Sequence, residues 1–249
     1  MEMTLRSILL FLGIALAGYV LVTAFVFVTQ RSLLYHPSHD GESGVLKPWV
    51  VRGATIGYAR QLASPASVWL MAHGNAGQAA NREYILNCVS PDSAVYVVEY
   101  PGYGLRPGRP SEASLNRAVR EAYDELLARY PNLGIGVIGE SLGSGPACTL
   151  AQAPVPPARF VLIVPFATLA SVASDHMPFL PTRLLVKDRW DNVASLKGYR
   201  GPITVYAAQR DNIIEPKHAR RLASAVGAAF HLIDSGHNDL LATGRVRIK

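Results

Sequence analysis

Charge is scarce in this chain: Asp, Glu, Lys and Arg supply 17% of its 249 residues, against about 25% in an ordinary soluble domain. Low-complexity tracts and runs of like charge are lacking too, and with 49% of residues apolar the disordered and fibrous classes are excluded. Cysteine is nearly absent. Cys88 and Cys148 are the only two, too few for a disulfide framework, although a single bridge fits the count. Both fall in helix-like runs, where buried thiols are expected. Acidic residues number 18 against 24 basic ones, a net charge of +6. The 19 Arg and 5 Lys are scattered along the chain and form no stripe or arm, which argues against nucleic acid as a partner. Weak attraction to anionic membrane surfaces is the milder implication.

What is present, by contrast, is one long apolar run. Residues 7–30 carry no charge, and the 21 residues of 8–28 are almost wholly apolar. At about 1.5 Å per residue they span the ~30 Å hydrocarbon layer. The expectation is a transmembrane helix within 1–30, a single-pass N-terminal anchor. The rival is a cleaved secretory signal, with an apolar region of only ~7–15 residues. Val22-Thr23-Ala24 is a tolerable cleavage tripeptide, but Phe25, Val26, Phe27 and Val28 prolong the run beyond it. Basic residues flank both ends, Arg6 on one side and Arg31 and Lys47 on the other, so the side of the membrane that the remainder occupies stays open. The anchor does not explain the low charge. Residues 31–249 still hold 40 charged residues in 219, about 18%, as suits a sheet covered on both faces.

A linker is expected over 31–48, punctuated by Pro37, Gly41, Gly44 and Pro48. From 49 to 249 strand and helix patterns alternate. Residues 49–52 and 55–60 read as a hairpin turning at Gly53, followed by a strand at 67–72, a helix at 79–89 and a strand at 94–99. A helix at 111–130 is introduced by Ser111-Glu112-Ala113, a capping signature. Further strands fall at 135–138, 160–164, 203–207 and 230–233. This alternation predicts one α/β domain with a mostly parallel sheet and helices on both faces.

The strand at 135–138 runs directly into Gly139-Glu140-Ser141-Leu142-Gly143, ahead of a helix-like stretch at 144–152. G-x-S-x-G between strand and helix describes a serine held on a strained turn, with flanking glycines that let strand and helix approach closely. The run 67–72 ends in His73-Gly74-Asn75-Ala76-Gly77. A backbone N–H from that loop and one from the residue after the serine would form an oxyanion hole, which assigns Asn75 and Leu142. His73 is read as structural. Asp211 follows the strand at 203–207 after a short turn, where a carboxylate can orient a histidine; Asp188, Asp191 and Asp234 are its competitors. His237 follows the last strand, so that Ser141, Asp211 and His237 occur in the chain order expected for such a site. The candidate chemistry is an activated serine: His237 as general base, Asp211 holding the imidazole, Asn75 and Leu142 binding the oxyanion. No cofactor or metal is implied.

These residues resemble the serine α/β-hydrolases, in particular the bud-emergence-type group that also includes membrane-anchored protein depalmitoylases. The resemblance covers nearly the whole chain. It is carried by the apolar N-terminal run with Gln30-Arg31-Ser32-Leu33-Leu34-Tyr35-His36-Pro37, by His73-Gly74-Asn75-Ala76-Gly77, by Tyr100-Pro101-Gly102-Tyr103-Gly104 with Pro110-Ser111-Glu112, and by Gly139-Glu140-Ser141-Leu142-Gly143. It implies the α/β-hydrolase fold and the same three residues, Ser141, Asp211 and His237. Three departures stand out. Glu215 occupies the place where the family has its proline, which comes one residue later as Pro216. Only residues 165–201 are available for a cap. The tail after His237 is short.

A small cap leaves the site open, and Phe166, Met177 and Phe179 are its candidate substrate-binding walls, with Leu180 and Trp190 nearby. An acyl chain suits such walls. The expected substrates are small molecules, lipids or acylated proteins at a membrane, cleaved at a carboxylic ester or thioester. An amidase, peptidase or acyltransferase would use the same residues, and a catalytically silent, membrane-anchored binding protein is the alternative outside enzymes.

Overall fold

An uncharged apolar stretch with a good N-cap has little reason to break, and the first element is a single helix, α1 (Leu5–Leu34), capped by the Thr4 side chain on the Ser7 N–H. The structure, a computed structural model, describes residues 4–40 and 44–248. The first three residues of the expected anchor, Gly41 of the expected linker and Lys249 lie outside the described residues. α1 is long and apolar enough to cross a membrane, with a mean hydropathy of 2.5 over its most apolar 18 residues. It extends four residues past the boundary expected at 30. The linker expected over 31–48 is partly structured as well, because it supplies a short strand and the start of the main sheet.

The strands are β1 (His36–Pro37), β2 (Lys47–Val51), β3 (Ala54–Arg60), β4 (Ser67–Ala72), β5 (Ala76–Gly77), β6 (Ser93–Val98), β7 (Ile135–Glu140), β8 (Arg159–Ile163), β9 (Ile203–Ala208) and β10 (Ala229–Ile233). β1 pairs with β5 in parallel and thereby fastens the exit of α1 to the loop after β4. The other eight form one sheet in the order β10-β9-β8-β7-β4-β6-β3-β2. β2 and β3 form the expected hairpin, turning at Gly53 with φ 81°, a left-handed conformation that glycine adopts freely. β3 also pairs antiparallel with β6, and every other neighbouring pair is parallel.

The helices after α1 are α2 (Glu112–Arg129), α3 (Ser144–Thr149), α4 (Leu169–His176), α5 (Thr182–Leu185), α6 (Asn192–Ser195) and α7 (Pro216–Val226). Ser111 caps α2 in a reciprocal box with Ser114. Successive side chains of a strand face opposite ways, and β4 shows both faces in use. Val68, Leu70 and Ala72 enter one core with Leu115 and Val119 of α2, Ala147 of α3 and Leu222 of α7. Trp69 and Met71 enter the other, with Ala79, Ile85, Leu240 and Val246. The second face is closed by short pieces: the expected helix at 79–89 is two tight 3-10 turns, Ala79–Asn81 and Glu83–Asn87. Arg82, between them, reaches back to the Ala76 carbonyl. Cys88 and Cys148 are free and buried in different cores.

Residues 165–201 form a small cap carrying α4, α5 and α6. The chain enters it through Val164, whose φ of 45° is unusual for a β-branched residue and whose N–H is held by the Tyr206 carbonyl at 2.7 Å.

Candidate active site

The carboxyl ends of β4, β7, β9 and β10 gather the candidate residues at one end of the sheet, near the point where the chain's direction of winding reverses between β4 and β7, the position where open α/β sheets bind ligands. Ser141 follows β7 with φ 51°. That strained conformation is fixed from both sides. A Cβ at Gly139 would lie 2.7 Å from the Ser144 Cα, and one at Gly143 would overlap the Ala72 and His73 carbonyl oxygens. Both glycines are therefore required by packing. The Ser144 hydroxyl donates to the Ser141 carbonyl at 2.7 Å and secures the turn into α3.

His237 stands between Ser141 and Asp211. Its Nε2 is 3.0 Å from the Ser141 Oγ and its Nδ1 is 2.6 Å from the Asp211 Oδ2. A carboxylate only accepts, so Nδ1 carries the proton and Nε2 offers its lone pair to the serine hydroxyl. The other oxygen of Asp211 accepts the N–H groups of Ile213 and Ile214 at 2.9 and 2.8 Å. The acid and histidine loops are laced together by Gln209 N–H to the Ile233 carbonyl and Arg210 N–H to the Ser235 carbonyl. Pro216 is the first residue of α7, where a missing N–H costs nothing, and the displaced proline leaves the hold of Ile213 and Ile214 on the acid intact. All three side chains are nearly buried: Ser141 and Asp211 are 7% and 5% exposed.

The competing aspartates have other duties. Asp188 binds Arg31, Asp191 caps α6 on the Ala194 N–H, and Asp234 pairs with Arg210.

The loop after β4 is braced by a buried polar cluster that the sequence did not reveal. His73 Nδ1 donates to the Gly74 carbonyl at 2.8 Å, which orients the peptide that carries the Asn75 N–H. Burial holds His73 well below its ordinary pKa, as does nearby Arg82, so the ring is neutral. The Asn75 side chain donates to the Leu34 carbonyl at 2.8 Å, and the Asn75 main-chain carbonyl accepts the His36 N–H and the Tyr103 hydroxyl. Glu140 accepts the Gly74 N–H at 3.2 Å and the Tyr84 hydroxyl at 2.7 Å. Glu99 sits beneath, its Oε1 taking the Ala79 N–H and lying 3.9 Å from His73 Nε2. These partners are distant in sequence, and Glu140 sits at a variable position of G-x-S-x-G, so no local signal marks them.

The three expected substrate walls stand in different surroundings. Phe166 is fully buried in the core, with its carbonyl held by Asn192, and this corrects its assignment. It is an internal packing residue. Met177 lines a cavity between α1 and the cap. Phe179 is 89% exposed beside α1, and its carbonyl accepts the Tyr19 hydroxyl. Trp190 is buried, with Nε1 bonded to Asn116.

No family model matches the chain. An uncharacterised protein of Mycobacterium tuberculosis is 32% identical over 246 residues, 91% of this chain and 87% of the relative. The α/β-hydrolase domain-containing protein 17C of Xenopus tropicalis is 26% identical over 200 residues, 76% of this chain and 62% of that protein. Among solved structures, an esterase of Pyrococcus furiosus superposes with a TM-score of 0.61 at 13% identity, covering 82% of this chain and 90% of the esterase. At that identity the likeness speaks for the fold. The strand order, the strained turn after β7 and the solved neighbour agree: the chain has the α/β-hydrolase fold.

Proposed function

We propose that the protein is a membrane-anchored serine hydrolase that cleaves carboxylic ester or thioester bonds of acyl substrates through an acyl-enzyme on Ser141. One observation carries the reading: the unbroken hydrogen-bonded chain from Ser141 through His237 to Asp211, with the serine on a left-handed turn at the sheet edge. In the first step His237 Nε2 takes the hydroxyl proton as Oγ bonds to the substrate carbonyl carbon. The negative charge on the resulting tetrahedral oxygen is held by the Asn75 and Leu142 N–H groups. Asp211 stabilises the imidazolium. As the carbon–oxygen or carbon–sulfur bond breaks, His237 returns the proton to the leaving alcohol or thiol. Water then repeats the sequence on the acyl-enzyme and releases the acid. α1 keeps the enzyme among lipid or lipidated substrates, in keeping with the resemblance to the bud-emergence-type group and its depalmitoylases.

The test is turnover of p-nitrophenyl esters and acyl thioesters by the full chain. Ser141→Ala should lower kcat by at least about 10³-fold, and Asp211→Asn by about 10⁴-fold because it presents the wrong tautomer. A Ser141→Ala protein that keeps its kcat within tenfold of wild type would sink the proposal.

A further inference from the structure

Between the C-terminal half of α1 and the cap lies an apolar cavity of about 250 Å³. Val26, Phe27 and Leu34 face it from α1, and Leu169, Val172 and Met177 from the cap. Its polar lining residues hydrogen-bond to protein partners. Gln30 Nε2 donates to the Phe27 and Leu185 carbonyls and its Oε1 accepts the Lys187 N–H; His176 bonds the Ile213 carbonyl; the Thr182 hydroxyl bonds Ser174. The surface that remains suits hydrocarbon.

The cavity is tied to both sides of the serine site. Leu34 gives its carbonyl to Asn75, next to Gly74, where a Cβ would lie 3.6 Å from that of Ser141. On the other side His176 holds Ile213, whose N–H holds Asp211. The opposite end reaches down α1. Tyr19, fifteen residues before Leu34 and so about 22 Å along the helix, donates to the Phe179 carbonyl. Phe179 and Leu184 are 89% and 77% exposed. Lys187, 4.2 Å over the Phe27 ring, Arg189 and Arg31 follow at the level where a headgroup layer would begin. The cap segment beside Tyr19–Val26 therefore stands at the depth of the hydrocarbon that α1 would cross. An occupant entering from that side arrives from lipid and not from water.

We infer that α1 is a wall of the substrate site as well as a tether: the cavity between α1 and the cap takes the long acyl chain of a bilayer-resident ester or thioester, which enters sideways from the leaflet and presents its carbonyl to Ser141. This rests on the serine-hydrolase reading and adds the chain-binding site to it.

The full chain in lipid nanodiscs supplies the test. The ratio of kcat/KM for p-nitrophenyl palmitate to that for p-nitrophenyl butyrate is measured for wild type, for Val26→Trp and Val172→Trp, which fill the cavity from its two walls, and for Val28→Trp on the exposed face of α1. The palmitate-to-butyrate ratio should fall at least tenfold in both cavity variants and stay within twofold of wild type in Val28→Trp. A ratio unchanged in both cavity variants, or one that falls equally in Val28→Trp, overturns the inference while leaving the serine reading standing. Wild-type protein that turns over neither ester and takes no fluorophosphonate label would overturn both. A diazirine-bearing palmitate photolysed with wild type gives a readout independent of variant folding. Adducts should fall on residues 26–34 and 169–185, and adducts confined to the outer face of α1 would contradict the site.

Discussion

Replacing Glu99 by Gln should stabilise the protein at alkaline pH and remove much of the pH dependence of its stability. Glu99 is 1% exposed. Burial raises its carboxyl from 4.5 to about 7, opposed by the Ala79 N–H and by Arg82, Arg106 and His39. One oxygen, Oε2, has no partner among the described residues, and neither has His73 Nε2 nearby. The folded state therefore keeps the Glu99 proton between pH 4.5 and about 7, where the unfolded chain has lost it. Protons bound preferentially by the folded state make stability fall as pH rises. At 1.36 kcal/mol per pH unit the loss is about 3 kcal/mol once the pH exceeds both values. Gln keeps an acceptor for the Ala79 N–H and adds a donor for His73, with no proton to lose. The difference in stability, variant minus wild type, should therefore grow by about 3 kcal/mol from pH 4.5 to 8.5. For a domain of this size that amounts to about 6–12 °C in Tm, within reach of intrinsic-fluorescence melts of the full chain in detergent. Parallel pH profiles for the two proteins, or a variant less stable than wild type at pH 8.5, would refute the reasoning.

Two further substitutions probe the frame around the site. Gly143→Ala places a methyl group against the Ala72 and His73 carbonyls and should cost about 3 kcal/mol, seen as a lowered Tm and poor recovery of folded protein. Asp188→Ala removes the acceptor shared by Arg31, Tyr35 and the Glu112 N–H. Arg31 is half exposed, which weakens the ionic part, so the expected cost is about 2–3 kcal/mol, chiefly from the hydrogen bonds left unmade. Burial pushes the Asp188 carboxyl up, but its partners bring it below the ordinary value of 3.8. Its stabilising contribution is thus present above about pH 4 and lost as the pH falls further, and melts of the two proteins should converge in acid.

Local patterns make much of the fold legible in the sequence. Strand 67–72 matches β4 residue for residue, and Ser111 caps α2 where its capping signature placed it. The G-x-S-x-G turn nominates Ser141, and position after a strand together with chain order nominates Asp211 and His237, since the hydrogen-bonded chain is built from loops at the ends of β7, β9 and β10. What stayed hidden depends on partners far apart in sequence. Asp188 meets Arg31 across 157 residues, and nothing in its neighbourhood distinguishes it from a solvated loop acid. The walls of the cavity come from an apolar helix and an apolar cap whose composition is that of any core, so composition does not separate a lining residue such as Val26 or Leu34 from a packing residue such as Phe166. The scarcity of charge reflects α1 together with a sheet buried on both faces.

The central claim, that Ser141 is the nucleophile, is tested most directly by treating the folded full chain with a fluorophosphonate and locating the adduct by peptide mass spectrometry. The account predicts a single adduct on Ser141, absent from Ser141→Ala and strongly slowed in His237→Ala. Folded wild-type protein that takes no label, or that carries it on another residue with Ser141→Ala labelling at the wild-type rate, would contradict it.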